Sequence, residues 1–303
     1  VQTNLIEPPA QYSAAATWKI LAPFIATERR IGARMAGTPL TAAVYEFLRF
    51  GMKQAWACLF GGIMIALMIG TFLFYLADAA LTRYDFLFLA ALGVQIALLA
   101  FKLETFEEAK IIFVYHVVGT VMEIFKTSVG SWIYPEEAFF RIAGVPLFTG
   151  FMYACIGSYI ARAWRLFHFE FTHHPPIWAL GLLSLAIYIN FYSHHYIPDV
   201  RFELFAVALA LFFKTRIYFL NWRVQRWMPL IIGLGLVALF IWFAENVGTL
   251  TRTWAYPNQK DGWSMVSLGK LGSWFLLLIV SYTLVAFIKR RDIQAPQGTA
   301  KAP

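Results

Sequence analysis

The 303-residue chain reads as an all-α protein: a polytopic membrane helical bundle of eight transmembrane helices, arranged as a 4+4 parallel internal repeat with both termini cytoplasmic. Three observations lead there. Of the residues, 60% are hydrophobic and 14% charged, with a mean hydropathy of +0.62, whereas soluble domains carry about 25% charged residues. Eight apolar segments approach the ~20 residues needed to cross a bilayer. The chain also resembles itself at a spacing of 122 residues. This composition excludes a disordered chain and a disulfide scaffold, because 29 Phe, 14 Tyr and 11 Trp accompany only two cysteines. Cys58 and Cys155 fall in apolar runs and read as small core residues without a redox or metal role.

The expected spans are 54–76, 84–101, 111–129, 145–161, 177–191, 202–220, 228–246 and 269–288. With the N-terminus inside, 18 of the 25 Lys and Arg fall on the cytoplasmic side and 7 on the other, as the positive-inside rule requires. Insertion polarity therefore accounts for the net charge of +8, and a nucleic-acid partner is not expected. Residues 1–53 read as a cytoplasmic or interfacial segment and not as a signal peptide, since Lys19 and Pro23 interrupt its apolar stretch. Within it, Thr38 before Pro39 marks a helix start, and Leu40, Val44, Phe47 and Leu48 form one apolar face. Residues 54–165 and 166–291 are the two four-helix halves, and 292–303 is a polar tail expected to be disordered.

The repeat rests on EIFKTSVGSWIYP at 123–135 and ENVGTLTRTWAYP at 245–257, which share E-x3-T-x4-W-x-Y-P. Collinear echoes flank it, among them Ser158-Tyr159 with Ser281-Tyr282. The third span thus pairs with the seventh. An even number of crossings per half gives both halves one polarity.

Ionisable residues inside spans are costly and mark function. Glu123 and Glu245 hold equivalent positions in the repeat, and His116, Thr120, Glu123 and Thr127 lie on one helical stripe. The candidate catalytic residues are Glu123 and Glu245 as general acid and base, His116 as a proton shuttle, and Lys126, which stands three residues from Glu123 and within range of a local ion pair. Lys270 and Arg252 are candidate partners for Glu245. Trp132, Tyr134, Trp254 and Tyr256 read as aromatic-belt anchors at the outer interface. Their place beside the acids also makes them, with Asn190 and Asn246, candidates to line a substrate site. His194 and His195 at the end of the fifth span are candidate metal ligands with Glu123, Glu245 and Asp199, zinc being the metal such donors suit. His168, His173 and His174 read as a solvated loop.

The stretches KTSVGSWIYP at 126–135, VPLFTGFMY at 145–153 with Gly157-Ser158-Tyr159, and NFYSHH at 190–195 resemble a bacterial family of multi-pass membrane proteins, domain-of-unknown-function family 817, over about residues 40–290. The resemblance implies a topology and no activity. A shorter similarity, in the spacing of Glu, Thr, Trp and Tyr, is to membrane enzymes that hydrate or cyclise carotenoids, although the GT-x-x-G element after each acid is incomplete here.

Three functions follow from these residues. The first is a membrane-embedded acid/base enzyme acting on a lipid or isoprenoid near the outer leaflet of the bacterial cytoplasmic (inner) membrane. The second is a proton- or cation-coupled small-molecule transporter, for which no hydrophilic path below His116 is visible. The third is a non-catalytic assembly subunit whose buried charges lock the halves together. Membrane lipids are the expected partners, and no cofactor or oligomeric state is assigned.

Overall fold

The computed structural model describes residues 22–76 and 78–290, and the fold is mostly helical. The tail at 292–303 and the chain before Ala22 lie outside the described residues. The helices are α1 Ala22–Met35, α2 Pro39–Ala57, α3 Leu59–Phe74, α4 Arg83–Ala100, α5 Phe106–Ser128, α6 Phe148–Phe167, α7 Ile177–Ser193, α8 Arg201–Phe212, α9 Leu230–Leu250 and α10 Leu268–Ile288. Four of them, α4, α5, α9 and α10, are long and apolar enough to cross a membrane, and a fifth crossing results if α2 and α3, bent by 71° at Cys58, count as one. α7 is a shorter apolar helix.

Local chemistry sets several boundaries. Thr38 caps α2 in a reciprocal pair with Thr41, and Pro39 opens the helix, as a first-turn proline does. Leu40, Val44, Phe47 and Leu48 stay exposed on one face. α5 begins five residues before the expected span, because Thr105 and Glu108 form a capping box.

Three expectations are corrected. The sixth expected span, 202–220, divides into the 12-residue helix α8 and strand β4, Arg216–Leu220. In β4 the buried Ile217 and Phe219 alternate with more open residues, the period-two pattern of a strand, which a hydropathy window averages away. β4 lies between β3, Glu170–Thr172, and β5, Gln225–Pro229, in an antiparallel sheet, so the fold is not purely α. A second small ladder pairs β1, Arg141–Ile142, with β2, Val145–Pro146. Cys58 is exposed at the α2–α3 break and is not a core residue.

The fourth helix of the expected scheme is longer than its apolar segment. α6 continues through Arg162 and Arg165 because both are neutralised inside the fold. Arg162 is fully buried and its Nη2 lies 2.6 Å from Glu104 Oε1. Ser158 Oγ and Gln95 Nε2 also donate to that carboxylate. A buried ion pair of this kind is sustained by further hydrogen bonds, and Arg162 Nη1 adds one to Trp56 O. α6 is thereby the central helix, packed on α2, α3, α4, α5 and α10.

Helices α5 and α9 end alike. Gly130 N and Ser131 N donate to Thr127 O and Lys126 O, and 122 residues later Arg252 N and Thr253 N donate to Thr249 O and Gly248 O. Both ends are Schellman turns, which need a left-handed residue. Gly130 has φ +70° and Arg252 φ +52°. Because an L side chain is strained in this region, Arg252→Gly is expected to stabilise the protein by about 1 kcal/mol and Gly130→Ala to destabilise it similarly. Thermal melting in detergent tests both signs.

Candidate functional site

The Schellman turns reverse the chain and lead each W-x-Y segment back over the helix it has just left. In an extended segment alternate residues share a face, so Trp132 and Tyr134 project together, as do Trp254 and Tyr256. The intervening residues pair across the molecule, with Ile133 N to Ala255 O and Ala255 N to Ile133 O both 3.0 Å. One antiparallel bridge therefore holds the two segments side by side.

Each pair of rings closes on its own glutamate. Glu123 Oε2 accepts from Trp132 Nε1 at 2.7 Å and from Tyr134 OH at 2.5 Å, while Oε1 accepts from Tyr153 OH at 2.7 Å. Glu245 Oε1 accepts from Trp254 Nε1 at 3.1 Å and from the Tyr256 hydroxyl, while Oε2 accepts from Trp274 Nε1 at 3.1 Å. Trp132 and Tyr256 meet edge to face at 6.1 Å, and Tyr153 and Trp274 lie 6.1 Å apart. Both glutamates are buried, at 4% and 5% exposure. A carboxylate offers about four acceptor sites. Three donors on each acid leave one open, on Glu123 Oε1 and on Glu245 Oε2, where a proton can sit.

Both acids and their rings line one cavity of about 860 Å³. Its walls continue along α6 from Thr149 to Phe167, about 27 Å at 1.5 Å per residue. Among the described residues, the charged groups in its lining are Glu123, Glu245 and Lys270, all at one end, and the far end is walled by residues such as Phe50, Phe167 and Phe219.

The structure brings together some of the residues singled out from the sequence and separates others. Trp132, Trp254 and Tyr256 are buried and Tyr134 is part-buried, so these four are carboxylate donors and not interfacial anchors. Lys126 makes no ion pair with Glu123. Its Nζ lies 2.6 Å from Phe191 O and 2.9 Å from His195 Nε2. At the equivalent position a side chain has no room, because a Cβ on Gly248 would fall 2.0 Å from Trp254 Cη2. His116 packs on Phe151 at 4.6 Å, its Nδ1 has no hydrogen-bond partner, and it does not line the cavity. Asn190 bonds Asp199 and Val200 N, and Asn246 bonds Trp242 O and Val266 N, so both serve loop structure. His194 Nδ1 faces Asn190 O and His195 faces Lys126. Among the described residues no three His, Cys, Asp or Glu side chains gather as metal ligands, so the expected metal site is not assembled.

Sequence reasoning missed Tyr153 and Trp274. They follow their glutamates by 30 and 29 residues and differ in type, so neither identity nor a constant offset reveals the match. Only their shared role as third donor does.

Two outcomes are expected. Tyr134→Phe leaves a buried carboxylate one donor short and should destabilise the protein by about 1–3 kcal/mol, with Tyr153→Phe doing likewise, read by thermal melting. Beside the site, burial acts to raise the Asp199 pKa, but bonds from Arg201 and Asn190 prevail and hold it at about 2. A folded-state value below the unfolded ~3.9 gives stability that is full above about pH 4 and lost as pH falls toward 2. Asp199→Asn should abolish that part of the acid dependence in pH-resolved melts.

No solved structure matches this chain. An uncharacterised protein of Bacillus subtilis (strain 168), YoaT, is 41% identical over 255 residues, which cover 84% of this chain and 96% of that protein. The model of a family described as a protein of unknown function, DUF817, matches residues 46–282, an extent that also agrees with the resemblance read from 126–135, 145–159 and 190–195. The chain therefore belongs to the DUF817 family.

Proposed function

We propose that this protein is a membrane-embedded acid/base enzyme acting on the alkene of an isoprenoid or related lipid, with Glu123 and Glu245 as proton donor and acceptor. The observation that carries the reading is one long apolar cavity with both carboxyls in its wall. An apolar space about 27 Å long suits a hydrocarbon chain better than a compact polar metabolite. Two carboxyls in one chamber, sharing one proton, form an acid and a base without any further reagent.

The chemistry balances with those two groups. The protonated carboxyl adds its proton to one carbon of a C=C bond, whose π electrons form the new C–H bond and leave a carbocation at the other carbon. The opposite carboxylate then removes a proton from a neighbouring carbon, and the C–H electrons form the relocated double bond. Ring faces stabilise a cation within about 6 Å, and the six aromatic residues of the two cages supply them. Trp132, Tyr134 and Tyr153 orient Glu123, while Trp254, Tyr256 and Trp274 orient Glu245. A coupled transporter would need a polar route along the whole cavity, and the charged lining is confined to one end.

The same reading carries the topology: a protein of the bacterial cytoplasmic membrane with both termini inside, in which 54–165 and 166–291 are parallel halves and the acids lie toward the outer leaflet. The matching Schellman turns and the matching Glu–Trp–Tyr bonding support the duplication.

Purified protein incubated with a polyprenol in heavy water should place deuterium on the alkene carbons of recovered lipid. Glu123→Gln and Glu245→Gln should each lower the rate at least 100-fold, within the range acid–base groups contribute. Exchange that persists in both variants would remove the glutamates from the mechanism. Absence of exchange in the wild type across polyprenols of different length would overturn the alkene reading.

A further inference from the structure

The proposed reading leaves one charged residue of the cavity without a task. Lys270 lies in the first turn of α10, and its ammonium stands 4.3 Å from the ring centre of Tyr256 and 5.0 Å from that of Trp132. Those are the faces of two rings whose polar atoms hold Glu245 and Glu123. Among the described residues Lys270 Nζ has neither a hydrogen-bond acceptor nor a carboxylate within ion-pair distance. An ammonium is a three-donor group, and ring faces offer it no hydrogen-bond acceptor oxygen.

The polar accounting at this end of the cavity is lopsided. Each carboxylate already accepts three hydrogen bonds, whereas the cation beside them donates none. The charges of Glu245 and Glu123 act on Lys270 from beyond ion-pair distance, but its N–H donors have no acceptor, so the complementary ligand is one that brings acceptor oxygens, an anion. A cationic headgroup would instead meet carboxylates that already accept three hydrogen bonds each and a repelling lysine.

Two neighbours reinforce the sign. Lys126, buried against Phe191, lies within range of the Lys270 charge, and its Nζ uses one donor on Phe191 O and contacts His195 Nε2. A further donor hydrogen therefore remains on it. Phe191 itself lines the cavity. The amino end of α10, which carries Lys270, also presents the positive pole of a 21-residue helix.

We infer that Lys270, with Lys126 behind it, binds the anionic oxyacid headgroup of an amphiphile, a phosphate or carboxylate, whose hydrocarbon chain fills the apolar cavity. The inference rests on the proposed reading of the cavity as a chain-binding site and adds the headgroup class. It also adds a register: with the head at Lys270, the first carbons of the chain lie beside Glu123 and Glu245, so the reacting bond is one near the head.

The test uses the full chain in a non-ionic detergent, with binding followed by native mass spectrometry. Three probes separate the contributions: dodecyl phosphate carries head and chain, dodecanol the chain alone, and inorganic phosphate the head alone. Dodecyl phosphate is expected to bind at least tenfold more tightly than dodecanol, with an affinity that falls as salt rises. Lys270→Met should erase that advantage while leaving dodecanol binding unchanged, and Lys270→Arg should retain most of it. Should the Met variant fail to fold, the wild-type salt dependence decides: affinity for dodecyl phosphate that is insensitive to salt overturns the inference. Equal affinity for the two amphiphiles overturns the headgroup assignment and leaves the chain-binding cavity standing. Inorganic phosphate binding as tightly as dodecyl phosphate overturns the lipid source in favour of a free anion. Failure of both amphiphiles to bind overturns the headgroup together with the cavity reading.

Discussion

A carboxylate enclosed by apolar helices must find hydrogen-bond donors or be lost to the cost of its burial, and in this protein that requirement organises one end of the fold. Glu123 and Glu245 meet it with residues nine and eleven positions further along the chain. For those residues to reach back, each helix must stop within a few residues of its glutamate and turn sharply. The Schellman turns at Gly130 and Arg252 do so, and the mutual bridge between Ile133 and Ala255 keeps both returning segments in place. The acids, the turns and the bridge are therefore one device. A third donor, from α6 or α10, ties it to the rest of the bundle.

The same logic, applied to a basic group, shapes the body of the fold. Arg162 would be excluded from an apolar helix if left alone, yet it donates to Glu104 and to Trp56 O, while Ser158 and Gln95 donate to Glu104, and α6 runs through the centre of the molecule. Arg83 plays a comparable part near the acid end, where it bonds Thr71, Glu136, Thr251 O and Thr253. It thereby joins the start of α4 to the loop after α9. Both arginines spread their several donors over acceptors from different elements, which the planar guanidinium does well and an ammonium does not. Lys270 is the exception, a cation set against ring faces with no hydrogen-bond acceptor among the described residues.

Much of the candidate site was legible because it is local. The E-x8-W-x-Y spacing sits within 13 residues and occurs twice, so comparing the chain with itself singled out Glu123, Trp132, Tyr134 and their counterparts. Their role was not legible. Trp and Tyr at a span end read equally as interfacial anchors, and only the turn geometry decides whether the polar atoms point to water or to a carboxylate. Tyr153 and Trp274 were invisible for another reason: they arrive from other helices, and a phenol and an indole are interchangeable as single donors though unlike as letters. Lys126 misled because helical spacing allows a local ion pair, whereas its side chain reaches a backbone carbonyl on α7.

Composition, hydropathy and the doubled motif pointed by themselves to a mostly helical protein with apolar helices long enough to cross a membrane and to two acids in similar local sequences, since apolar content and a recurring rare pattern are properties of the linear chain. Tertiary structure alone decided that the two settings share one cavity and that Lys270 stands in its wall. It also decided that 216–220 leaves the helix for a sheet and that the histidines hold no common centre. These depend on which side chains meet across distances of a hundred residues or more, and hydrophobic pattern records how deep a residue lies without recording what lies opposite it.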